Sequence, residues 1–396
     1  MGVLRIVHTA DYHLGVSLRG LSPVSEKGRI RIQDFLKQLD RIREFVLDRG
    51  CDFLVIAGDV FHTIRPNPYV FDEFAKFIRS LTVEKVQVVC IAGTHDQPRT
   101  EASEAYVKAL EDVGAPNFYF FRKPGVITLK GSISGKKVRF LCLPYVPQTM
   151  FKPDEYISSV ERSIRRLLSE PVEPYDYTVV VGHFYVEGAV INSREHTPRY
   201  IGDIPLPRRL FNGFDASMLG HIHRHQFLTG KIVYAGSIER IDFGEEGEEK
   251  GFVYFEEYEG GLRGSFIRLP CRPMLTIPRD GFLELRGRRN YEAVLREYIR
   301  GLRGVEDAIL RFKMRLDPSQ VIPSRALEEA LRSKKVFHWI IEVERVGGEA
   351  KPVERKVFSL EDYFKHYVET VFKHRLDPET MRLVVSEGLK ILKEED

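Results

Sequence analysis

The sequence predicts an α/β sandwich, two packed sheets with helices outside. Three observations carry this expectation. Short apolar, β-branched runs alternate with amphipathic helices through the first third of the chain. Hairpin-like strands with glycine turns follow later. Five of the strand-like runs also end directly on a cluster of Asp, His and Gly.

Each element follows from its local pattern. Leu4 to Thr9 reads as a strand ending at Asp11, before a polar loop. Arg29 to Asp48 reads as a helix, with Ile32, Phe35, Leu36, Leu39, Ile42 and Val46 on one face and Gly50 as its stop. Phe53 to Ala57 is the second strand. Pro66-Asn67-Pro68 opens a second helix carrying Phe71, Phe74, Phe77, Ile78 and Leu81, a face most simply read as core. Val86 to Ile91 is the third strand, and a third helix is expected over Glu101 to Val113. Asn117 to Leu143 breaks into short strands at Gly125, Gly131 and Gly135. Asp154 to Leu168 is helical, and Tyr177 to Val181 and Phe214 to Leu219 are buried strands. Between them Glu187 to Asp203 is a polar loop long enough to have a task. Ile232 to Ala235 and two strands across Gly251 to Leu269 close this part.

Pro270-Cys271-Arg272-Pro273 and Pro278 punctuate a linker. Beyond it a small α/β domain is expected, with helices at Tyr291 to Ile299 and Ser324 to Arg332 and strands at Ala308 to Arg315 and Val336 to Val343. Gly347 to Pro352 is a second linker. The tail has two helical stripes, one with Tyr363, Phe364, Tyr367, Val368, Val371 and Phe372, the other with Met381, Val384, Val385, Leu389 and Leu392. The expected domains are 1–270, 279–346 and 353–396.

Composition narrows the function classes. No uninterrupted apolar run approaches the ~18 residues that a membrane span needs, and the N-terminus enters a strand at once, so neither span nor leader is expected. The four cysteines form no Cys-x-x-Cys pair, which argues against a zinc ribbon or a disulfide frame and for a reducing cytoplasm. A net charge of only +3 gives no bulk attraction for nucleic acid, so such binding would need local patches.

The chemistry lies in Asp11-Tyr12-His13, Gly58-Asp59-Val60-Phe61-His62, Gly93-Thr94-His95-Asp96, Gly182-His183 and Gly220-His221-Ile222-His223. Residues two apart in extended chain point the same way, so Asp11 and His13 converge, as do His221 and His223. With Asp59 and His183 they supply six oxygen or imidazole side chains, too many for one ion and natural for two, with Asp59 suited to bridge. Two adjacent ions suit phosphoester chemistry. The absence of thiolate favours an ion such as Mn²⁺ over a structural Zn²⁺. His8 and His225 read as core or rim groups and His196 as a solvated loop residue. Arg286, Arg288 and Arg289 could contact phosphate.

This ordered set of motifs resembles the calcineurin-like metallophosphoesterases. More narrowly, His8-Thr9-Ala10-Asp11-Tyr12-His13-Leu14-Gly15, Phe61-His62 and the run from Tyr234-Ala235-Gly236-Ser237-Ile238-Glu239-Arg240 to Ile241-Asp242-Phe243-Gly244 resemble the SbcD-type, meiotic-recombination-eleven DNA-repair nucleases, over roughly residues 1–270. The resemblance implies a four-layer αββα core, a small α/β capping domain facing DNA, and a C-terminal helical tail held by an ABC-type coiled-coil ATPase. It implies a homodimer with helices near Val70 to Leu81 at its interface. It also implies two Mn²⁺ ions, one on Asp11, His13, Asp59 and His223, the other on Asp59, His183, His221 and residue 94. Thr94 stands where the family pattern has an asparagine amide, which weakens the second set. His95 resembles the histidine that assists the leaving oxygen, with Asp96 expected to orient it, and His62 resembles a second histidine that handles substrate. The implied activity is 3′–5′ exonuclease and endonuclease processing of DNA ends in double-strand-break repair, in the cytoplasm at the nucleoid. Two alternatives stand beside it: a DNA-end-binding scaffold weakened in cleavage by Thr94, and a phosphoesterase acting on small phosphoesters.

Overall fold

A computed structural model of the chain describes residues 2–97, 104–148, 151–191, 203–322, 324–345 and 377–394. They fall into two compact units, one of residues 1–315 with 322–344, the other of 316–321 with 345–396.

In chain order the first unit has β1 (Arg5–Thr9), α1 (Glu26–Asp48), β2 (Phe53–Ile56), α2 (Pro68–Thr82), β3 (Gln87–Ile91), α3 (Lys108–Asp112), β4 (Phe118–Phe121), β5 (Gly125–Lys130), β6 (Lys137–Leu143), α4 (Pro153–Ser169), β7 (Tyr177–His183) and β8 (Ala216–Gly220). Then come β9 (Gln226–Phe227), β10 (Ile232–Tyr234), β11 (Lys250–Tyr258), β12 (Gly261–Leu269), β13 (Met274–Ile277), β14 (Leu283–Glu284), α5 (Tyr291–Gly301), β15 (Ile309–Leu316), α6 (Ser324–Ser333) and β16 (His338–Arg345). Two six-stranded sheets result, ordered β12-β11-β1-β2-β3-β4 and β5-β6-β7-β8-β10-β9.

The layering follows from strand alternation. On β1 to β3, Ile6, Phe53, Val55, Val89 and Ile91, with Leu4 just before β1, face Val138, Phe140, Val179, Val181 and Met218 of the other sheet in one buried layer. Their alternates Val7, Leu54, Ile56, Val88 and Cys90 pack on Phe35, Leu39, Phe74 and Ile78 of α1 and α2. The outer face of the second sheet packs on Tyr156, Val160, Ile164 and Leu167 of α4. This is the expected αββα sandwich, flanked by a third small sheet and followed by a C-terminal helix. Local signals agree: Ser25 caps α1 by accepting from Gly28 N at 3.0 Å, and Asn67 caps α2 ahead of Pro68, each cap worth ~1 kcal/mol.

Three expectations need correction. Met274–Ile277, read as linker, is β13, which pairs in parallel with β15 in the third sheet. Its anchor is Arg272, whose guanidinium grips the Asp34 carboxylate of α1 at 2.7 and 2.8 Å. The later strands are not hairpins alone, because β6, β7, β8 and β10 pair in parallel while the hairpin β11–β12 returns to the first sheet. The third helix is only Lys108–Asp112 among the described residues. It lacks a side-chain cap at Val107, and Gly114 turns the chain at φ +77° just beyond it.

In the second unit the helix α7 (Pro378–Glu394) covers the second of the two tail stripes. The first stripe, the linker at Gly347 to Pro352 and His196 lie outside the described residues.

Candidate metal centre

The candidate ligands sit where parallel strands of both sheets end, the edge at which α/β sheets place their ligands. Asp11 and His13 follow β1, Asp59 follows β2, and Thr94 and His95 follow β3. His183 ends β7, and His221 and His223 follow β8. Asp11, His13, Asp59 and His221 all have φ in the left-handed region, at 51°, 44°, 53° and 91°. Non-glycine residues persist there only when their surroundings hold them, and such strain gathers at functional sites. Here the hold is a set of backbone bonds: Asp11 N to Gly58 O at 3.0 Å, His13 N to Asp59 O at 2.9 Å, and His221 N to both carboxylate oxygens of Asp11. Gly93 must be glycine, because a Cβ there would run into the backbone nitrogen and carboxylate of Asp59.

Among the described residues three groups could hold a metal ion, and two of them overlap at Asp11: Asp11 with His13 and His223, and Asp11 with Asp59 and His183. A third group, His13 with His62 and His95, adjoins them. Asp11, His13 and His183 are fully buried and Asp59 nearly so. Among the described residues no Lys or Arg pairs with Asp11 or Asp59, and Asp59 pairs with the imidazoles of His13 and His183. Burial pushes Asp11 above its usual range. At Asp59 burial also opposes ionisation, but His183, His13 and His95 outweigh it and hold the carboxyl well below that range.

The donors fit divalent cations. His183 Nδ1 donates to the Ala57 carbonyl at 2.8 Å, which leaves Nε2 as the lone-pair nitrogen; that atom is buried and lacks a hydrogen-bond partner. Burial opposes charge on His183, yet Asp59 and Asp11 push it up to about 9. The field that favours a proton there favours a metal cation in its place. His13 Nε2 and His223 Nε2 lie 3.0 Å apart, a separation that needs a proton or a cation between the two nitrogens.

His221 stands beside His183, ring centroids 5.2 Å apart, and stacks on Tyr145. Its Nε2 bonds Asp203 at 2.7 Å, and its Nδ1 lies 3.5 Å from Thr94 Oγ1. Thr94 thus shares a position with His221, but with a hydroxyl as its only side-chain donor.

His95 and His62 stack at 5.3 Å, and both rings lie against His13. The expected orientation of His95 by Asp96 is not made. His95 Nδ1 donates instead to the His62 carbonyl at 2.8 Å. Asp96 is turned inward, accepting the backbone N–H groups of Gly93, Val60 and Phe61. Burial and Asp59 push its carboxyl up to about 6. It shapes two ligand loops and does not touch the His95 ring. A cleft of about 360 Å³ runs from His62 to the third sheet, lined by Leu18, Arg19, Arg311, His338 and Ile340 among others.

Several other singled-out residues sit in structural positions. His8 is fully buried in β1. His225 donates to Tyr234 O at 2.9 Å and stacks on Phe266. Arg286 pairs with Glu284 at 2.6 Å. Sequence reasoning missed Asp203, Tyr145, Glu245 and Lys250. Glu245 holds His223 Nδ1 at 2.7 Å, and Lys250 holds Glu245 at 2.8 Å. A signal was present in Lys250, a charge opening the apolar run Gly251-Phe252-Val253-Tyr254-Phe255.

The family model for calcineurin-like phosphoesterases matches residues 4–225, which is 222 of 396 positions. The chain belongs to the calcineurin-like phosphoesterase family. Every candidate ligand of this phosphoesterase falls inside that match, and the family together with the Asp/His clusters supports hydrolase activity. The chain is also similar to a Staphylococcus saprophyticus protein named as a subunit of the nuclease SbcCD. The two are 24% identical over 371 residues, covering 87% of this chain and 90% of the relative, so the likeness continues past residue 225. Among solved structures it is similar to a dimetal phosphatase from Danio rerio at 10% identity and a TM-score of 0.37, covering 68% of this chain and 100% of that one. No helix among the described residues is long and apolar enough to cross a membrane.

Proposed function

We propose that this phosphoesterase is a Mn²⁺-dependent DNA nuclease of the SbcD type, cutting DNA ends as a 3′–5′ exonuclease and endonuclease in double-strand-break repair. The single observation that carries this is the buried Asp/His cage, in which His183 Nε2 makes no hydrogen bond and lies 3.5 Å from the Asp59 carboxylate. The length over which the SbcCD relative aligns adds support, because it takes in chain beyond the family domain. Asp11, His13, Asp59 and His223 would hold one ion; Asp59, His183, His221 and Thr94 would hold the other. When bound, two such ions supply positive charge for a phosphodiester and lower the pKa of water beside it.

The chain's own residues do the rest. Asp11 and Asp59 fix the cage through the backbone bonds they accept from His221 and His95. His95 keeps its Nδ1–H on the His62 carbonyl, so only its doubly protonated, imidazolium form has an Nε2 proton to give to the departing 3′ oxygen. His62 borders both His95 and the cleft toward Arg311, where a strand would lie. The third sheet would face DNA as a capping domain. The tail helices would engage an ABC-type coiled-coil ATPase, and the protein would act as a homodimer at the nucleoid.

The test is cleavage of single- and double-stranded DNA beside bis-p-nitrophenyl phosphate with Mn²⁺. Activity on DNA supports the nuclease; activity on the small ester alone sinks it in favour of a small-phosphoester hydrolase. One observation favours a second reading, an end-binding scaffold with weakened cleavage: Thr94 offers only a hydroxyl at the position shared with His221. Elemental analysis separates the two, with two ions per chain for the enzyme and one or none for the scaffold.

A further inference from the structure

Lys250 and Glu245 are almost completely buried, far from any solvent that would stabilise their charges. Burying an ion costs several kcal/mol unless partners offset it. Here the partners are complete. Lys250 Nζ has three protons and three acceptors: Glu245 Oε2 at 2.8 Å, Glu248 Oε2 at 2.8 Å and the His223 carbonyl at 3.0 Å. Glu245 Oε1 accepts from His223 Nδ1 at 2.7 Å, while Oε2 also takes Ile241 N at 3.0 Å and Ser237 Oγ at 3.3 Å. The ammonium therefore grips His223 twice, directly through its main chain and indirectly through the carboxylate on its ring.

We propose that Glu245 and Lys250 are a buried positioning pair that sets the tautomer and aim of His223, making its Nε2 a metal-ligand atom. An ionised carboxylate can only accept, so Nδ1 carries the proton and Nε2 keeps its lone pair. That lone pair lies 3.0 Å from His13 Nε2, within the Asp11, His13 and His223 cluster. A carboxylate behind a ligating imidazole also raises its basicity, and loss of such a partner costs 10–100-fold in metal affinity. Lys250 keeps that carboxylate ionised and still.

The inference rests on the two-metal reading of this site. Its test is Mn²⁺ titration of the full chain by calorimetry, for the natural protein, Glu245→Gln and Glu248→Gln. Glu248 shares Lys250 but is not bonded to the His223 ring, so it controls for disturbance of the buried cluster. Expected is a loss of Mn²⁺ affinity of about 10–100-fold for Glu245→Gln and less than about threefold for Glu248→Gln. Equal affinities for Glu245→Gln and the natural protein, or equal losses in both variants, overturn the inference while leaving the metal site standing. A natural protein that binds no Mn²⁺ overturns the metal reading and the inference with it. Nitrogen-15 NMR of histidine-labelled natural protein checks the same point without any variant. His223 must be protonated on Nδ1; protonation on Nε2 overturns the proposal.

Discussion

Gly93→Ala puts the architecture of the site under direct strain. A Cβ at residue 93 would fall inside normal contact with the Asp59 backbone nitrogen and Oδ1. It would lie 2.8 Å from Asp59 Cγ, where ordinary contact begins at 3.4 Å. Relief requires a shift of at least about 0.6 Å in the carboxylate or its loop, beyond the ~0.5 Å within which a catalytic constellation must be held. The Asp59 loop has little freedom to give: Oδ1 accepts His95 N at 2.7 Å, and Asp59 O accepts His13 N at 2.9 Å. Overpacking of this kind costs ~1–3 kcal/mol of stability, and misplacement near 1 Å costs ~100-fold in rate. Gly114→Ala is the control for a general loss of stability. Unlike Gly93 it stands at positive φ, and its added Cβ meets nothing within 4 Å, so it loses ~1–2 kcal/mol to backbone strain alone. Mn²⁺-dependent hydrolysis of bis-p-nitrophenyl phosphate is read well below both melting transitions. Gly93→Ala should be about 100-fold slower and Gly114→Ala unchanged. Equal rates for the two variants would refute the claim that residue 93 lacks a side chain for the sake of Asp59.

Other outcomes follow from the same geometry. Thr94→Asn should tighten the weaker of two Mn²⁺ sites about tenfold, ~1.4 kcal/mol, in a paramagnetic-resonance titration; an unchanged titration would mean the hydroxyl suffices. Chelation should abolish hydrolysis and lower the melting temperature, and Mn²⁺ at a hundred times its dissociation constant should restore ~2.7 kcal/mol; a melting temperature indifferent to Mn²⁺ would argue against binding to the folded state. His8 is buried with both ring nitrogens unpartnered, and burial lowers it from 6.5 to about 3. On acidification the unfolded chain takes a proton at this residue near pH 6.5 and the folded chain does not until about pH 3. Between those values its contribution should reduce stability by ~1.4 kcal/mol per pH unit. His8→Met should flatten that limb in urea melts at pH 7 and pH 4.5, and equal slopes in both proteins would show that the histidine is not the cause.

Much of this was legible because the signals were local. Apolar alternation placed β1, β2, β3, β7 and β8, and each ligand is within a few residues of a strand end, where periodicity stops abruptly. The sequence-derived positions of Asp11, His13, Asp59, His183 and His223 meet in two clusters. What was not legible depended on partners distant in sequence. Met274–Ile277 reads as linker because prolines bracket it, and only its pairing with β15 and the Arg272–Asp34 contact make it a strand. The link expected between Asp96 and His95 follows from adjacency in the motif, but the tight turn directs Asp96 onto backbone amides and gives the orienting task to the His62 carbonyl. Glu245 lies one residue past the motif ending at Gly244, and nothing local marks it as the partner of His223.

The position of the site explains why its residues are scattered through the chain. The layer between the sheets is apolar along most of its depth, so it fixes the sheets face to face without specifying how their edges meet. At the ligand edge polar bonds do that. His183 Nδ1 reaches Ala57 O at 2.8 Å, Tyr145 N reaches Ala92 O at 3.0 Å, and His221 N reaches Asp11 across 210 residues of sequence. Each joins a strand end of the second sheet to one of the first. Leaving such a buried group unpaired costs ~1–3 kcal/mol, so a shifted docking of the sheets would forfeit several bonds together. The first sheet brings Asp11, His13, Asp59, Thr94 and His95, the second His183, His221 and His223. Each of the two clusters built on Asp11 draws ligands from both sheets. Those two clusters therefore exist only in the correctly docked sandwich, and the same bonds that select this docking aim their ligands.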